Sequence, residues 1–425
     1  MVTPDELKAA LEKCVLCGRC LGNCPIYRLT GWEGHVARGK IVLLRTLLDG
    51  ETDLAERMED LLSHCLLCGA CAEGCASGVQ ADQLIKAGRA LALKRGGLDR
   101  LRSLLAAGFP LLAAGVQDVP SGREDLSRVV PRESGLSYRF PLPGPGPDPW
   151  RPPLAERPFL TRPRPAPGAG SQKVRVALFV GCTANYLRPE SAEAAVALLE
   201  AAGVTVIVPA DQVCCGQPAA GAGDQETSLN LARRNFKALA GIEFDYLTAF
   251  CAECSNELRS YGEKFEGGRE IAVRVRDLND LLINVLRFQP VWKADREEKA
   301  PLKVFYHDPC HLRRKQGLFQ EPRTLLESLP GVELVGKGEP PACCGYGLLF
   351  NLFHFDLSRE LIRQRMEKIR PYKPDLVTTA CSGCWLQFEE GVRRSGGPFK
   401  VKPLVEFLAE RLGLGPAAGT SGTDH

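Results

Sequence analysis

All 18 cysteines of this 425-residue chain fall into two repeated patterns, with none left over. The first pattern is Cys14-x2-Cys17-x2-Cys20-x3-Cys24, repeated as Cys65-x2-Cys68-x2-Cys71-x3-Cys75. The second is a single cysteine, an adjacent pair and a C-x-x-C. It reads Cys182, Cys214, Cys215, Cys251 and Cys254, then returns as Cys310, Cys343, Cys344, Cys381 and Cys384. Thiols repeated at fixed spacing read as metal ligands. The chain is therefore confined to folds that bring short loops, and segments remote in sequence, to common points.

The short-spaced run lets one tight loop aim three thiolates at a shared centre, while the fourth serves a second cluster. That rule gives Cys14, Cys17, Cys20 and Cys75 to one [4Fe–4S] cluster, and Cys65, Cys68, Cys71 and Cys24 to another. Pro25 follows Cys24 as the pattern expects, but Ala76 follows Cys75, a departure. Zinc ribbons use separated C-x-x-C pairs, so the spacing favours iron and sulfide over zinc.

In the remainder, Val174–Val180, Val204–Val208 and Tyr246–Phe250 read as buried strands, each running toward a cysteine group. A second copy repeats the order with Lys303–Tyr306, Val332–Val335 and Leu376–Thr379. Helices are expected over Ala192–Glu200, Thr227–Ala240, Pro322–Ser328 and Asp356–Ile369. Alternating strands and helices imply a parallel sheet in each copy, with helices on both faces. The carboxyl ends of parallel strands share one edge of the sheet, so five thiolates should converge in each copy. Five exceed what tetrahedral zinc or a cubane needs, which points to a cluster of another shape. A four-thiolate zinc site with one bystander cysteine is the alternative. Helices expected at Ser255–Leu258 and Trp385–Glu389 would turn their positive ends toward the thiolates. Gly216 and Gly345 allow close approach of backbone. His307 and His311 beside Cys310, and His64 before Cys65, read as packing or surface residues, with a hydrogen bond to cluster sulfur the alternative.

The expected architecture is thus α plus α/β. Residues 1–100 form an all-α two-cluster ferredoxin-type domain, with helices near Lys40–Asp49, around Leu54–Leu62 and over Asp82–Arg95. Residues 101–172 form a linker dense in Pro, Gly and Arg from Pro141 to Gly170, with an arm that wraps a partner as the alternative. The duplicated cysteine-rich domains occupy 173–295 and 301–412, and 413–425 is a tail.

The charged fraction is 25% and the formal net charge +3, with both signs interspersed, which excludes a nucleic-acid footprint. The amino terminus lacks an apolar signal core, and Ser103–Val116 is short and broken by Pro110. A cytoplasmic location is expected, with peripheral membrane association left open. No strand–GxGxxG–helix fingerprint or Walker motif is present. Hydride chemistry must then occur on another polypeptide, and no catalytic residue is assigned here.

The chain resembles the glycolate oxidase iron–sulfur subunit family, related to lactate-utilisation proteins and heterodisulfide reductases. The resemblance rests on Cys24-Pro25-Ile26-Tyr27, Gly31-Trp32-Glu33, Arg38-Gly39-Lys40-Ile41 and Cys71 through Val79. It continues with Gly181-Cys182, Cys214-Cys215-Gly216, Asp308-Pro309-Cys310-His311-Leu312 and Cys343-Cys344-Gly345, with gaps of 31 and 35, then 32 and 36 residues, between cysteine groups. It implies two [4Fe–4S] clusters in the ferredoxin domain and a non-cubane [4Fe–4S] cluster, or zinc, in each CCG domain. It further implies an FAD-linked 2-hydroxyacid dehydrogenase partner oxidising glycolate or D-lactate, and a quinone-type acceptor. A heterodisulfide reductase-like catalytic role is the competing expectation. Tyr346-Gly347-Leu348-Leu349 departs from the smaller, Gly-rich residues common there, which implies narrower access to the second CCG site.

Overall fold

A computed structural model describes residues 3–50, 55–94, 154–163, 174–289, 300–348 and 350–414. Most of the expected linker and the tail lie outside the described residues.

The first hundred residues give helices α1 (Pro4–Glu12), α2 (Pro25–Thr30), α3 (Ala37–Leu48), α4 (Ala55–Ser63), α5 (Ala70–Glu73) and α6 (Ala81–Lys94). The Thr3 hydroxyl accepts the Glu6 N–H at 3.2 Å while the Glu6 carboxylate accepts the Thr3 N–H at 2.8 Å, a reciprocal cap that fixes where α1 begins. Leu7, Leu11, Ile41, Leu44, Leu62 and Ile85 are buried together between these helices. α3 and α6 approach closely because Gly88 has no side chain: a Cβ there would meet Leu44 Cδ2 at 2.6 Å.

The duplicated part holds two four-stranded parallel sheets. β1 (Arg175–Leu178), β2 (Thr205–Ile207), β3 (Tyr246–Ala249) and β4 (Val275–Asp277) are ordered β2-β1-β3-β4. β5 (Leu302–Tyr306), β6 (Val332–Val335), β7 (Leu376–Thr379) and β8 (Lys400–Pro403) repeat that order as β6-β5-β7-β8. Val176, Ala177, Leu178 and Val304 are fully buried, as continuous apolar strands covered on both faces should be. Strand order reverses beside β1 and beside β5, where open α/β sheets form a crevice at the carboxyl ends. Cys182 and Cys310 open the helices that follow β1 and β5, and the turns after β3 and β7 carry Cys251 and Cys381.

Three strands per copy are legible in the sequence, and the structure adds β4 and β8. These are short edge strands, VRD and KVKP, whose charges break the apolar pattern that marks a buried strand. The helices following the C-x-x-C groups also start earlier than the sequence suggests. They run Ala252–Arg259 and Ser382–Ser395, so Cys251 and Cys381 sit at the N-cap position and Cys254 and Cys384 within the first turn.

Residues 154–163, inside the stretch expected to be linker, are docked on the first sheet domain. Phe159 is buried, the Ala155 N–H donates to Tyr186 O at 2.8 Å, and the Leu160 N–H donates to Asn185 Oδ1 at 2.8 Å. The two copies are joined directly. The Ala252 N–H donates to Ala380 O at 2.9 Å, and Arg188 forks onto both carboxylate oxygens of Glu406 at 2.7 Å each.

Candidate metal centres

The two ferredoxin-type loops are built alike. Each turns through a left-handed leucine and a left-handed glycine: Leu16 (φ 55°) and Gly18 (φ 80°), then Leu67 (φ 52°) and Gly69 (φ 72°). In the first loop the Arg38 guanidinium donates to Leu16 O at 3.1 Å and Arg45 donates to Cys14 O at 2.8 Å. Cys17 is exposed at its tip, with Val15 at 71% and Leu16 at 38% exposure beside it. The second loop lies deeper. The Leu67 N–H points at Cys65 Sγ (3.5 Å) and the Val79 N–H at Cys75 Sγ (3.3 Å), so backbone donors face two of its sulfurs.

Cys24 lies with the second loop, where its charge is felt beside Cys65, Cys68 and Cys71. Burial pushes the Cys24 thiol up to about 11 and raises Cys71 as well. Two buried cations act against burial here, Lys40 at Cys24 and both Lys40 and Arg89 at Cys65. Lys40, fully buried, donates its ammonium to His35 O and to Gly34 O; burial pulls it down to about 8 while Cys65 and Cys24 hold it charged. Arg89 donates to Leu62 O (2.8 Å), Cys65 O (2.7 Å) and, across to the first sheet domain, Gly221 O (2.7 Å). Neither residue carries a role that spacing alone could reveal.

In the sheet domains the ten remaining cysteines form one line of sulfur contacts. Cys214 is hydrogen-bonded to Cys182 and Cys215, Cys215 to Cys254, and Cys254 to Cys251. Cys251 reaches across to Cys381, which neighbours Cys384. Cys384 lies 3.3 Å from Cys344, and Cys343 contacts Cys344, Cys310 and Cys68. The two five-cysteine sets therefore meet at Cys251–Cys381, and the second set meets the ferredoxin module at Cys343–Cys68. Neighbouring sulfurs drive Cys215, Cys310 and Cys344 well below the usual thiol range and their partners above it, so each set shares its protons.

Other buried polar groups line these sets. Glu253 groups with Cys251 and Cys381 within 4.8 Å, and His307 groups with Cys344 and Cys384. Buried His311 lies against Cys310 at 3.6 Å; burial opposes its charge, but the Cys310 thiolate outweighs that and raises it to about 9. Gly383 packs so tightly at the seam that a Cβ would meet Glu253 Oε1 at 2.8 Å and Tyr346 Cδ1 at 2.9 Å. Leu348, from the loop that departs from the family pattern, is buried in the ferredoxin core with Ala219 and Ala222. Its bulk thus serves contact between modules, and Tyr346 packs against the Cys381–Cys384 turn at Gly383. A third group, His35, Asp60 and His64, belongs to a ring stack: His35 and His64 lie 3.9 Å apart and 10° from parallel. Parallel rings do not aim their in-plane lone pairs at one ion, so the stack is a packing feature.

None of the 18 cysteines is tied up in a disulfide, and soft sulfur donors dominate each set, a chemistry that fits iron–sulfur groups. Among the described residues, no helix is long and apolar enough to cross a membrane.

Comparison with known proteins agrees. A 4Fe-4S dicluster domain matches residues 10–79, and a cysteine-rich domain matches residues 176–259 and 304–389. A probable glycolate oxidase iron-sulfur subunit of Bacillus subtilis (strain 168) is 29% identical over 432 residues, spanning 95% of this chain and 94% of that one. A polypeptide of the fumarate reductase (CoM/CoB) of Methanothermobacter marburgensis is 28% identical over 413 residues, 94% of this chain and 72% of its own. Lactate utilization protein A of Geobacillus thermodenitrificans is 30% identical over 245 residues, 56% of this chain and 100% of its own. With a dicluster module, two cysteine-rich domains and relatives of these three kinds, the chain belongs to the glycolate oxidase iron–sulfur subunit family, kin to lactate-utilisation and heterodisulfide reductase-type iron–sulfur proteins.

Proposed function

We propose that this chain is the electron-transfer component of a 2-hydroxyacid dehydrogenase complex. A flavoprotein partner oxidises glycolate or D-lactate, and this chain carries the electrons on to a quinone-type acceptor. In this reading Cys14, Cys17, Cys20 and Cys75 hold an outer [4Fe–4S] cluster, and Cys65, Cys68, Cys71 and Cys24 an inner one. Cys182, Cys214, Cys215, Cys251 and Cys254 hold a third centre, and Cys310, Cys343, Cys344, Cys381 and Cys384 a fourth, each non-cubane rather than zinc. Domain limits follow the cysteine sets, at 1–100, 173–295 and 301–412. The cytoplasm, at the inner face of a membrane through partners, is the location that suits a quinone acceptor. The bound clusters supply one-electron redox chemistry. The protein's own residues hold them at close range, exclude water and set their charge balance.

The observation that carries this is the unbroken sulfur line from Cys182 to Cys68. The test is reconstitution with an FAD-linked 2-hydroxyacid dehydrogenase. Hydroxyacid-dependent acceptor reduction should require both polypeptides; oxidation of glycolate by this chain alone contradicts the division of labour. One observation favours a second reading. Two five-cysteine sets that touch at Cys251–Cys381 could act together on a disulfide. Thiol–disulfide turnover without hydroxyacid oxidation would select that reading.

Lys40 yields a prediction of its own. Lys40→Met removes a buried positive charge beside Cys24 and Cys65, so adding an electron to the inner cluster becomes harder. Its reduction equilibrium should fall on the order of tenfold, read by EPR-monitored redox titration, with the outer cluster unmoved. An unchanged inner midpoint refutes the assignment.

A further inference from the structure

The duplicated halves are not equivalent at one position. Three residues before the first cysteine of each set, the backbone N–H makes the same bond: Phe179 donates to Thr248 O at 2.8 Å and His307 donates to Thr378 O at 2.9 Å. The register is therefore shared, and the residues differ. Both are buried, at 2% and 1% exposure. In the first half that place holds a hydrocarbon ring. In the second it holds an imidazole.

The His307 ring is held edge-on against Phe388, with centroids 4.8 Å apart and planes at 65°. A ring nitrogen falls within 4.8 Å of both the Cys344 and Cys384 sulfurs, close enough to help hold the Cys344 thiol low. Neither ring nitrogen meets a protein nitrogen or oxygen in hydrogen-bond geometry, so sulfur is what the ring faces. A buried polar group that meets no nitrogen or oxygen partner calls for an explanation at the site it faces. A neutral imidazole always carries one N–H, whichever tautomer it adopts, and a thiolate or bridging sulfide accepts such a bond.

We propose that His307 donates a hydrogen bond to the sulfur of the second five-cysteine centre, at Cys344 or the metal–sulfur group it holds, and makes that centre the stronger electron acceptor of the pair. The inference rests on the proposal that both five-cysteine sets hold iron–sulfur clusters. Hydrogen bonds to cluster sulfur stabilise the reduced, more negative form and raise the potential. The step is a single electron transfer in which no bond is made or broken and the proton stays on the imidazole. Electrons crossing from Cys68 to Cys343 then settle in the second half and enter the first, through Cys381 and Cys251, only against a gradient. His307 is a positioning residue and holds no iron.

The test uses the full chain, isolated anaerobically with its clusters, unlabelled and with 15N-histidine. Pulsed EPR of the reduced second centre should show an imidazole nitrogen coupling that changes with the isotope. H307F, which installs the first half's residue, should remove the His307 share of that coupling and leave any part that comes from His311 beside Cys310. It should also lower the second centre's reduction equilibrium at least tenfold, equivalent to about 59 mV for one electron, leaving the first centre unmoved. H307Q, which keeps an N–H donor, should recover most of the potential. An absent nitrogen coupling in the unsubstituted protein overturns the inference even if H307F fails to fold. So does an unchanged potential in a folded, iron-replete H307F. A second site without any paramagnetic cluster overturns both this inference and the cluster assignment beneath it, which separates the two failures.

Discussion

Cys68→Ala is expected to stop electron delivery to both sheet domains while the outer ferredoxin cluster remains reducible. Cys68 has two positions at once: it is the middle cysteine of the inner loop, and it contacts Cys343 of the second five-cysteine set. Leu66, Cys68, Cys343, Phe350 and Leu361 are buried together there, so the modules meet through packed side chains. Cys20→Ser, by contrast, alters only the partly exposed outer loop, so the sheet-domain centres should still assemble and show their signals after chemical reduction, while reduction through the flavoprotein stops before the outer cluster. Rapid-freeze EPR after reduction through the flavoprotein distinguishes them. Cys68→Ala should hold electrons at the outer cluster, and normal filling of the second centre in that variant would mean the modules connect elsewhere.

Arg89→Met should cost stability at the joint between the modules. The Arg89 guanidinium is buried and satisfies the carbonyls of Leu62, Cys65 and Gly221, joining α4, the inner loop and the first sheet domain. Methionine fills much of the same volume but donates nothing. Three buried acceptors lose their donor, at about 1–3 kcal/mol each, with partial relief from water; a net loss of about 3–5 kcal/mol is expected. The interface itself should open, because Gly223 leaves no slack there: a Cβ would meet the Arg89 carbonyl carbon at 2.7 Å. Thermal unfolding and limited proteolysis between the modules read both effects. A variant as stable as the parent would show that Arg89 is not the clamp.

Much of this arrangement is legible in the chain. Cysteine spacing implies two ferredoxin loops with a crossed fourth cysteine, and the structure puts Cys24 beside Cys65 and Cys68. Apolar runs ending at cysteines imply parallel strands with thiols at their carboxyl ends, because a strand buried on both faces has a distinctive composition. The edge strands β4 and β8 lack that signature since charge interrupts them. His307 reads in sequence as a packing or surface residue; that its ring lies against Cys344 and Cys384 depends on the register of β5 against β7. The contacts Cys251–Cys381 and Cys343–Cys68 join segments more than a hundred residues apart, and no local pattern encodes them. Arg89 is an ordinary helix residue in sequence and Lys40 appears only within the motif Arg38-Gly39-Lys40-Ile41; packing shows that both charges are buried beside thiols.

The most direct test is metal and sulfide analysis of the full chain, isolated without oxygen, alongside Cys344→Ala. If four centres each hold four irons, the protein should be brown, carrying about sixteen irons with a matching amount of acid-labile sulfide. Cys344→Ala should lose the share of one centre and its EPR signal. Zinc in both sheet domains, or sulfide that stops at the ferredoxin pair, would contradict the account.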